Sequence, residues 1–224
     1  MSKNIPAPVL TWLQTDGVKQ RDSAKFIAQF AAELVAAGID IYRLTTGVHI
    51  IHPQIDASSA LWQQGKPVTE RRWKMDRQIL QNSPMPIVYS GRSYRARLDG
   101  AAEPGEFPIL TELRAEGVTE YIAFPLPFSD GSWKAVSYAT CRAGGFPEDQ
   151  VATLRGLVPT LAMILEIQTL QRTTDAAGHL CRADRRPARA RRCHQAGHVR
   201  FNRSGDLVLR PSRLHRIVRK PPGR

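Results

Sequence analysis

Cysteine is scarce in this chain: of three, only Cys141 precedes residue 174. No disulfide can form within those first 174 residues, which agrees with a reducing compartment. Long hydrophobic runs are also missing. No stretch of about 18 or more apolar residues occurs, and Met1-Ser2-Lys3-Asn4 leads into no apolar signal region. Neither a membrane span nor a secretory signal is supported, and a cytoplasmic location is expected. No G-x-x-x-x-G-K-[ST] loop, no G-x-G-x-x-G loop and no nucleophile-elbow pattern is present. The sequence therefore offers no independent catalytic constellation. The chain is expected not to be an enzyme and to need no cofactor.

What is present divides at about residue 174. Residues 1–174 hold 18 Lys+Arg against 17 Asp+Glu, a net of +1, whereas residues 175–224 hold 14 against 3, a net of +11. The whole-chain charge of +12 belongs almost entirely to the tail. Four of the six His and two of the three Cys fall there too. The run Arg185-Arg186-Pro187-Ala188-Arg189-Ala190-Arg191-Arg192 has neither a helical nor a strand period. This Arg/Pro/Ala/Gly excess is what GC-rich coding DNA yields out of frame. The tail is expected to be disordered, because its charge and scattered apolar groups cannot offset the entropy of ordering. Clustered Lys/Arg release counterions from phosphates. No nucleic-acid motif accompanies them here, so no specific nucleic-acid partner is expected.

The first 174 residues read as elements of one domain. A Pro-containing lead (1–20) precedes Asp22-Ser23, which can cap a helix burying Phe26, Ile27, Phe30, Leu34 and Val35, with Gly38 as the stop. Ile39–Leu44 and Val48–His52 read as two strands joined at Thr45-Thr46-Gly47. Ala60–Gln64 around Trp62 reads as a third, and Arg71–Gln81 as helical, with Pro84 and Pro86 breaking or restarting it. Pro108–Glu116 is a further helix, with Ile109, Leu110 and Leu113 inward and Gly117 at its stop. Val118–Phe128 and Trp133–Thr140 form a hairpin around Ser129-Asp130-Gly131-Ser132. Pro147, Glu148 and Asp149 start a long C-terminal helix. Its apolar stripe is Leu154, Leu157, Val158, Leu161, Ile164 and Leu165, and Pro159 should kink it.

This order resembles the GAF architecture: an α+β domain with a central antiparallel sheet flanked by helices, a long C-terminal helix and, here, a disordered basic tail. The expected parts are a lead (1–20), a GAF-like sensory domain (21–146), a signalling and dimerisation helix (147–174) and the tail (175–224). The landmarks Gly38-Ile39, Tyr42-Arg43, His52-Pro53-Gln54, Trp62, Ser83-Pro84, Phe107-Pro108, Leu113-Arg114, Pro125-Leu126, Phe128-Ser129-Asp130-Gly131 and Gly144-Gly145-Phe146 are individually weak. In this order and spacing they resemble the N-terminal sensory region of proteobacterial class III adenylate/guanylate cyclases. Shifting the coding frame of Gly205–Pro222 by one nucleotide permits Val-Ile-Trp-Tyr-Ser-Asp-Leu-Arg, which is similar to the start of the cyclase catalytic domain. His179-Leu180-Cys181-Arg182 obeys the same shift, giving Thr-Tyr-Val-Gly. The resemblance implies that a frameshift near residue 174 removed the catalytic domain. The metal-binding Asp of that domain is replaced at the Arg210/Pro211 junction.

The reading that follows is a regulatory domain of a cyclase-like signalling protein, itself without cyclase activity. It would dimerise through the helix stripe and have an unidentified small-molecule ligand as a further possible partner. The alternative is a dimeric adaptor whose basic tail binds nucleic acid or anionic membrane. Trp62, Trp73, Tyr94, Tyr121 and Trp133 could line a ligand pocket, although filling the core is the commoner role. Arg92, Arg95 and Arg97 could face an anion, although charged residues more commonly protect a strand edge. Cys141 reads as a plain half-buried thiol. His49 and His52 read as packing or surface residues, and Cys181, Cys193, His194 and His198 lack zinc-ligand spacing.

Overall fold

The computed structural model describes residues 6–52, 55–73, 82–102 and 104–183. The lead is not an extended segment. Pro6 precedes helix α1 (Ala7–Thr15), and Val9 and Leu13, one turn apart, are fully buried. Two apolar residues at i and i+4 are enough to seat a short helix once a larger core receives them. Helix α2 (Ser23–Ala36) begins as expected, the Asp22 carboxylate accepting from the amides of Ala24 and Lys25 at 2.9 and 3.1 Å. Phe26, Ile27, Phe30 and Leu34 are buried, but Val35 is 48% exposed. It adjoins Leu34 in sequence and so lies about 100° around the helix from it. Gly38 follows the helix at φ +80, the left-handed conformation a C-terminal stop uses.

Six strands follow in an antiparallel sheet of order β3-β2-β1-β6-β5-β4. The expected break at Thr45-Thr46-Gly47 does not occur, and β1 (Arg43–His52) runs through it. Thr46 pairs with Ala60 on one side and Val136 on the other, and Gly47 with Ser59 and Ala135. Paired on both flanks, these residues have no free backbone with which to turn. β2 (Ile55–Gln63) contains Trp62 as expected and is longer than expected. β3 (Lys66–Trp73) takes Arg71–Trp73 into the sheet, with Arg71 opposite Ser59, so that part of the expected helix is strand. The remainder, 74–81, lies outside the described residues.

A short helix α3 (Met85–Tyr89) restarts the chain after Pro84, edge strand β4 (Tyr94–Arg97) follows, and then α4 (Pro108–Ala115). In α4, Leu110 and Leu113 are buried and Ile109 is partly so. The expected hairpin forms from β5 (Glu120–Pro127), shorter than the expected Val118–Phe128, and β6 (Trp133–Thr140), with Pro127 opposite Trp133. Helix α5 (Glu148–Ala183) passes Pro159 without interruption, and its backbone continues past residue 174. The basic tail beyond it lies outside the described residues.

Strand side chains alternate between the two faces. On the first face Leu44, Ile122, Phe124, Leu126, Val136 and Tyr138 form the main core with α1, α2 and α5. On the second, Tyr121, Ala123, Ala135 and Ala139 pack with Val88 of α3 and with Leu110 and Leu113 of α4. The stretch Glu148–Arg172 of α5 is long and apolar enough, by composition alone, to cross a membrane. Its Val151, Leu154, Leu157, Leu161, Ala162, Ile164 and Leu165 are instead core residues. Together these elements form an α+β domain with a central antiparallel sheet, helices on both faces and a long C-terminal helix.

Candidate functional site

The expected dimer stripe occupies another place. Leu154, Leu157 and Leu161 are fully buried, Ile164 and Leu165 nearly so, and Val158 is partly buried against the same core. Periodicity identified the buried face of the helix but not its partner, which is this chain's own sheet. A different face of α5 carries Met163, Ile167 and Leu170, which are 64, 37 and 60% exposed. Their spacing of four and three residues puts them on one side of the helix.

Polar contacts also fix α5 to the domain at four places. The Arg95 guanidinium donates to Glu148, Gln150 donates to the Gly38 carbonyl, and Gln168 donates to the Gln20 carbonyl. Glu166 accepts from the amide of Ser129, at 3.0 and 3.1 Å to its two oxygens, and from the Ser129 hydroxyl. The edge strand, the chain after α2, the hairpin tip and the lead-to-α2 junction are thus each joined to one helix.

The start of α5 is held most firmly. Glu120 is fully buried, and its carboxylate accepts from Arg95 Nε at 2.7 Å and from the amide of Phe146 at 2.6 Å. Gly145 sits at φ +71, and a Cβ there would collide with the Glu120 carboxylate, so this position needs glycine on two counts. Arg95 donates at 2.7 Å to Glu148, and Arg97 donates at 2.7 Å to the Gly144 carbonyl while pairing with Asp99. Both side chains point to the same side of β4, being two residues apart. The hydrogen bond to Glu120 is the main reason the Arg95 pKa is raised, and Arg97 holds the Asp99 carboxyl below its ordinary range.

A cavity of about 490 Å³ runs beside β4. Its lining takes Tyr94 and Ala96 from one face of the strand and Arg95 and Arg97 from the other, so it lies along the strand's free edge. Phe107, which contacts the Tyr94 ring edge-on, and Arg114, bonded to Glu106 and to the Leu98 and Gly100 carbonyls, also line it. The Arg114 hydrogen bond keeps the Glu106 carboxyl below its usual range.

Of the expected aromatic pocket residues whose side chains are described, Tyr94 and Tyr121 meet each other on the second face of the sheet, and Trp62 lies on the first. Burial pushes the Tyr121 hydroxyl up to about 12. Trp133 lies against Gly91, and the Trp73 side chain is outside the described residues. Arg95 and Arg97 are ion-paired rather than simply solvated. Cys141 is exposed rather than half-buried, because it follows the last residue of β6. Burial, Asp40 and Glu116 all raise its pKa, so its reactive thiolate is disfavoured. The side chains of His49, His52 and Cys181 are outside the described residues, as are Cys193, His194 and His198. Among the described residues no group of three or more His, Cys, Asp or Glu could hold a metal ion. Sequence reasoning missed Glu120, for which a carboxylate in a strand otherwise apolar to Leu126 was the available signal, and read Glu148 only as a helix start.

No protein-family model matches the sequence, and no curated protein does. Solved structures do match. The phycoerythrobilin-bound GAF domain of a cyanobacterial phytochrome is 16% identical with a TM-score of 0.50, over 77% of this chain and 98% of that one. The GAF domain of a two-component sensor histidine kinase from Bacillus halodurans is 11% identical with a TM-score of 0.51, over 71% and 99%. The fold is therefore GAF-like.

Proposed function

We propose that the domain is the sensory, regulatory part of a cytoplasmic signalling protein and that α5 is its output. The observation that carries this reading is the position of α5. One face of it forms the domain core, four polar contacts join it to separate parts of the fold, and another face presents Met163, Ile167 and Leu170. A change at the sheet edge or hairpin tip thus reaches the helix directly, which is the physical requirement for shifting a population of helix states. Two copies pair through the exposed residues, not through Leu154–Leu165, which already have a partner. Sedimentation equilibrium of the full chain tests this. The expected result is a dimer that Met163→Glu converts to a folded monomer, and a wild type that stays monomeric at about 100 µM would overturn it.

The finer reading is that the intact protein is a class III adenylate/guanylate cyclase, with the basic tail read out of frame. It is supported by the sequence landmarks and by two segments obeying one shift. This chain then makes no cyclic nucleotide itself. Reading the coding DNA past codon 224 in all three frames tests it. A shifted frame continuing into both metal carboxylates is expected. Its absence would remove the cyclase reading and leave the basic adaptor.

A further inference from the structure

We propose that edge strand β4 is a clasp on α5: when β4 leaves the sheet, the buried Glu120 carboxylate loses its guanidinium, and the start of α5 opens about Gly144-Gly145 while the rest of the helix stays seated. β4 is the last strand of the sheet, paired on one side only, from Tyr94 opposite Ala123 to Arg97 opposite Glu120. Short edge strands open at a smaller free energy than central ones. Arg95 and Arg97 lie opposite Ile122 and Glu120, on the sheet face that α5 covers. Three contacts run from them towards the start of the helix, each at 2.7 Å: Arg95 to Glu120, Arg95 to Glu148, and Arg97 to the Gly144 carbonyl.

Glu120 makes this link energetic as well as mechanical. Its side chain is fully buried, and its two oxygens are divided between Arg95 Nε and the amide of Phe146. A carboxylate left in the interior without its cation is strongly destabilised. It relieves that cost by turning to water at the vacated edge, and in turning it releases the Phe146 amide. The chain at this point is shaped to move, because Gly144 and Gly145 are consecutive left-handed residues at φ +78 and +71 just before α5. The loosening ends at Val151 and Leu154, which are buried in the main core. By linkage, whatever favours the open start of α5 also favours release of β4. Only the use of the clasp in signalling rests on the sensory reading above; the coupling does not.

Native-state amide hydrogen exchange of the full chain tests the clasp. The Leu98 amide donates to the Thr119 carbonyl at 2.7 Å, so Ala96, two residues earlier on the same ladder, also presents its amide to β5. Ala96→Pro removes that donor and should release β4. Exchange at Phe146, Val151 and Ala152 is expected to rise by about tenfold or more, with Leu157 and Leu161 unchanged. Arg95→Gln keeps the strand, removes the cation and should produce the same rise, so the test survives if Ala96→Pro does not fold. Glu120→Gln keeps an acceptor for the Phe146 amide but removes the buried charge. In that background Ala96→Pro should leave exchange at Phe146–Ala152 unchanged. Unchanged exchange there in either folded variant of the native background would overturn the clasp. An equal rise with Glu120→Gln present would overturn it too, since the coupling would not pass through the carboxylate. Sedimentation does not report on these amides, so failure of the clasp and failure of the sensory reading are told apart.

Discussion

The two faces of the sheet are built from different materials. The first is a continuous apolar core that includes Phe26, Phe30, Phe124, Leu154, Leu157 and Leu161. The second places Ala123, Ala135 and Ala139 beneath tyrosines and short helices, with the Glu106–Arg114 ion pair beside it, and the β4 edge of the sheet carries the Arg95 and Arg97 ion pairs. Close-packed apolar contacts hold one arrangement, because any gap forfeits dispersion energy. Ion pairs at an edge can exchange partners without disturbing the core. The apolar core and the exchangeable ion pairs thus occupy the centre and the β4 edge of one sheet, and α5 meets both, through its core residues and through Glu148.

The comparison can be broken most severely on the first face. Leu157→Ala should destabilise the domain by about 3–5 kcal/mol in urea unfolding, because it leaves a cavity where the residue is fully buried. A loss under about 1 kcal/mol would mean that α5 is not core. Next in size is Glu120→Ala, which leaves Arg95 and the Phe146 amide without their buried partner. It should cost about 3 kcal/mol and raise hydrogen exchange first around residues 146–150.

Acid should act on the β4 edge and its neighbouring loop before the apolar core. Asp99 and Glu106 have lowered pKa values in the fold, chiefly through hydrogen bonds to Arg97 and Arg114. Their stabilising effect is complete above their unfolded values of about 4 and is lost as pH falls through the lowered folded values. Glu106→Gln should flatten that acid limb of the stability profile, and an unchanged limb would show that the pair contributes little. The smallest effect has the opposite sign. The Tyr138 hydroxyl is buried in the first face without a hydrogen-bond partner, and burial raises its pKa strongly. Tyr138→Phe should stabilise by about 1 kcal/mol, readable as a higher Tm.

Local chemistry made some of this legible in the sequence. The Asp22 cap, the turn at 129–132 and the start at Glu148 each depend on a few adjacent residues, and each occurs where expected. Elements decided by distant partners were not legible. Gly47 looked like a turn because its pairing with both Ser59 and Ala135 cannot be read from its neighbours. Arg71–Trp73 looked helical until Ser59 and Ala57 gave them a strand to join. Val9 and Leu13 are too few to show a period, and their burial depends on a core assembled later in the chain. The site was least legible, since Arg95, Glu120 and Glu148 are far apart in sequence and meet only through the sheet. The α5 stripe shows the same limit: spacing marked Leu154–Leu165 as an apolar face and gave it to a second copy, whereas this chain's own core covers it.

That last point decides between the two uses of the helix, and paired charge substitutions test it most directly. Leu161→Glu and Ile167→Glu differ by fewer than two turns of α5 but lie on its core and exposed faces. With thermal unfolding and sedimentation equilibrium measured on both, Leu161→Glu should abolish the cooperative transition, whereas Ile167→Glu should keep it and yield a monomer. A folded, monomeric Leu161→Glu alongside a dimeric Ile167→Glu would contradict the account.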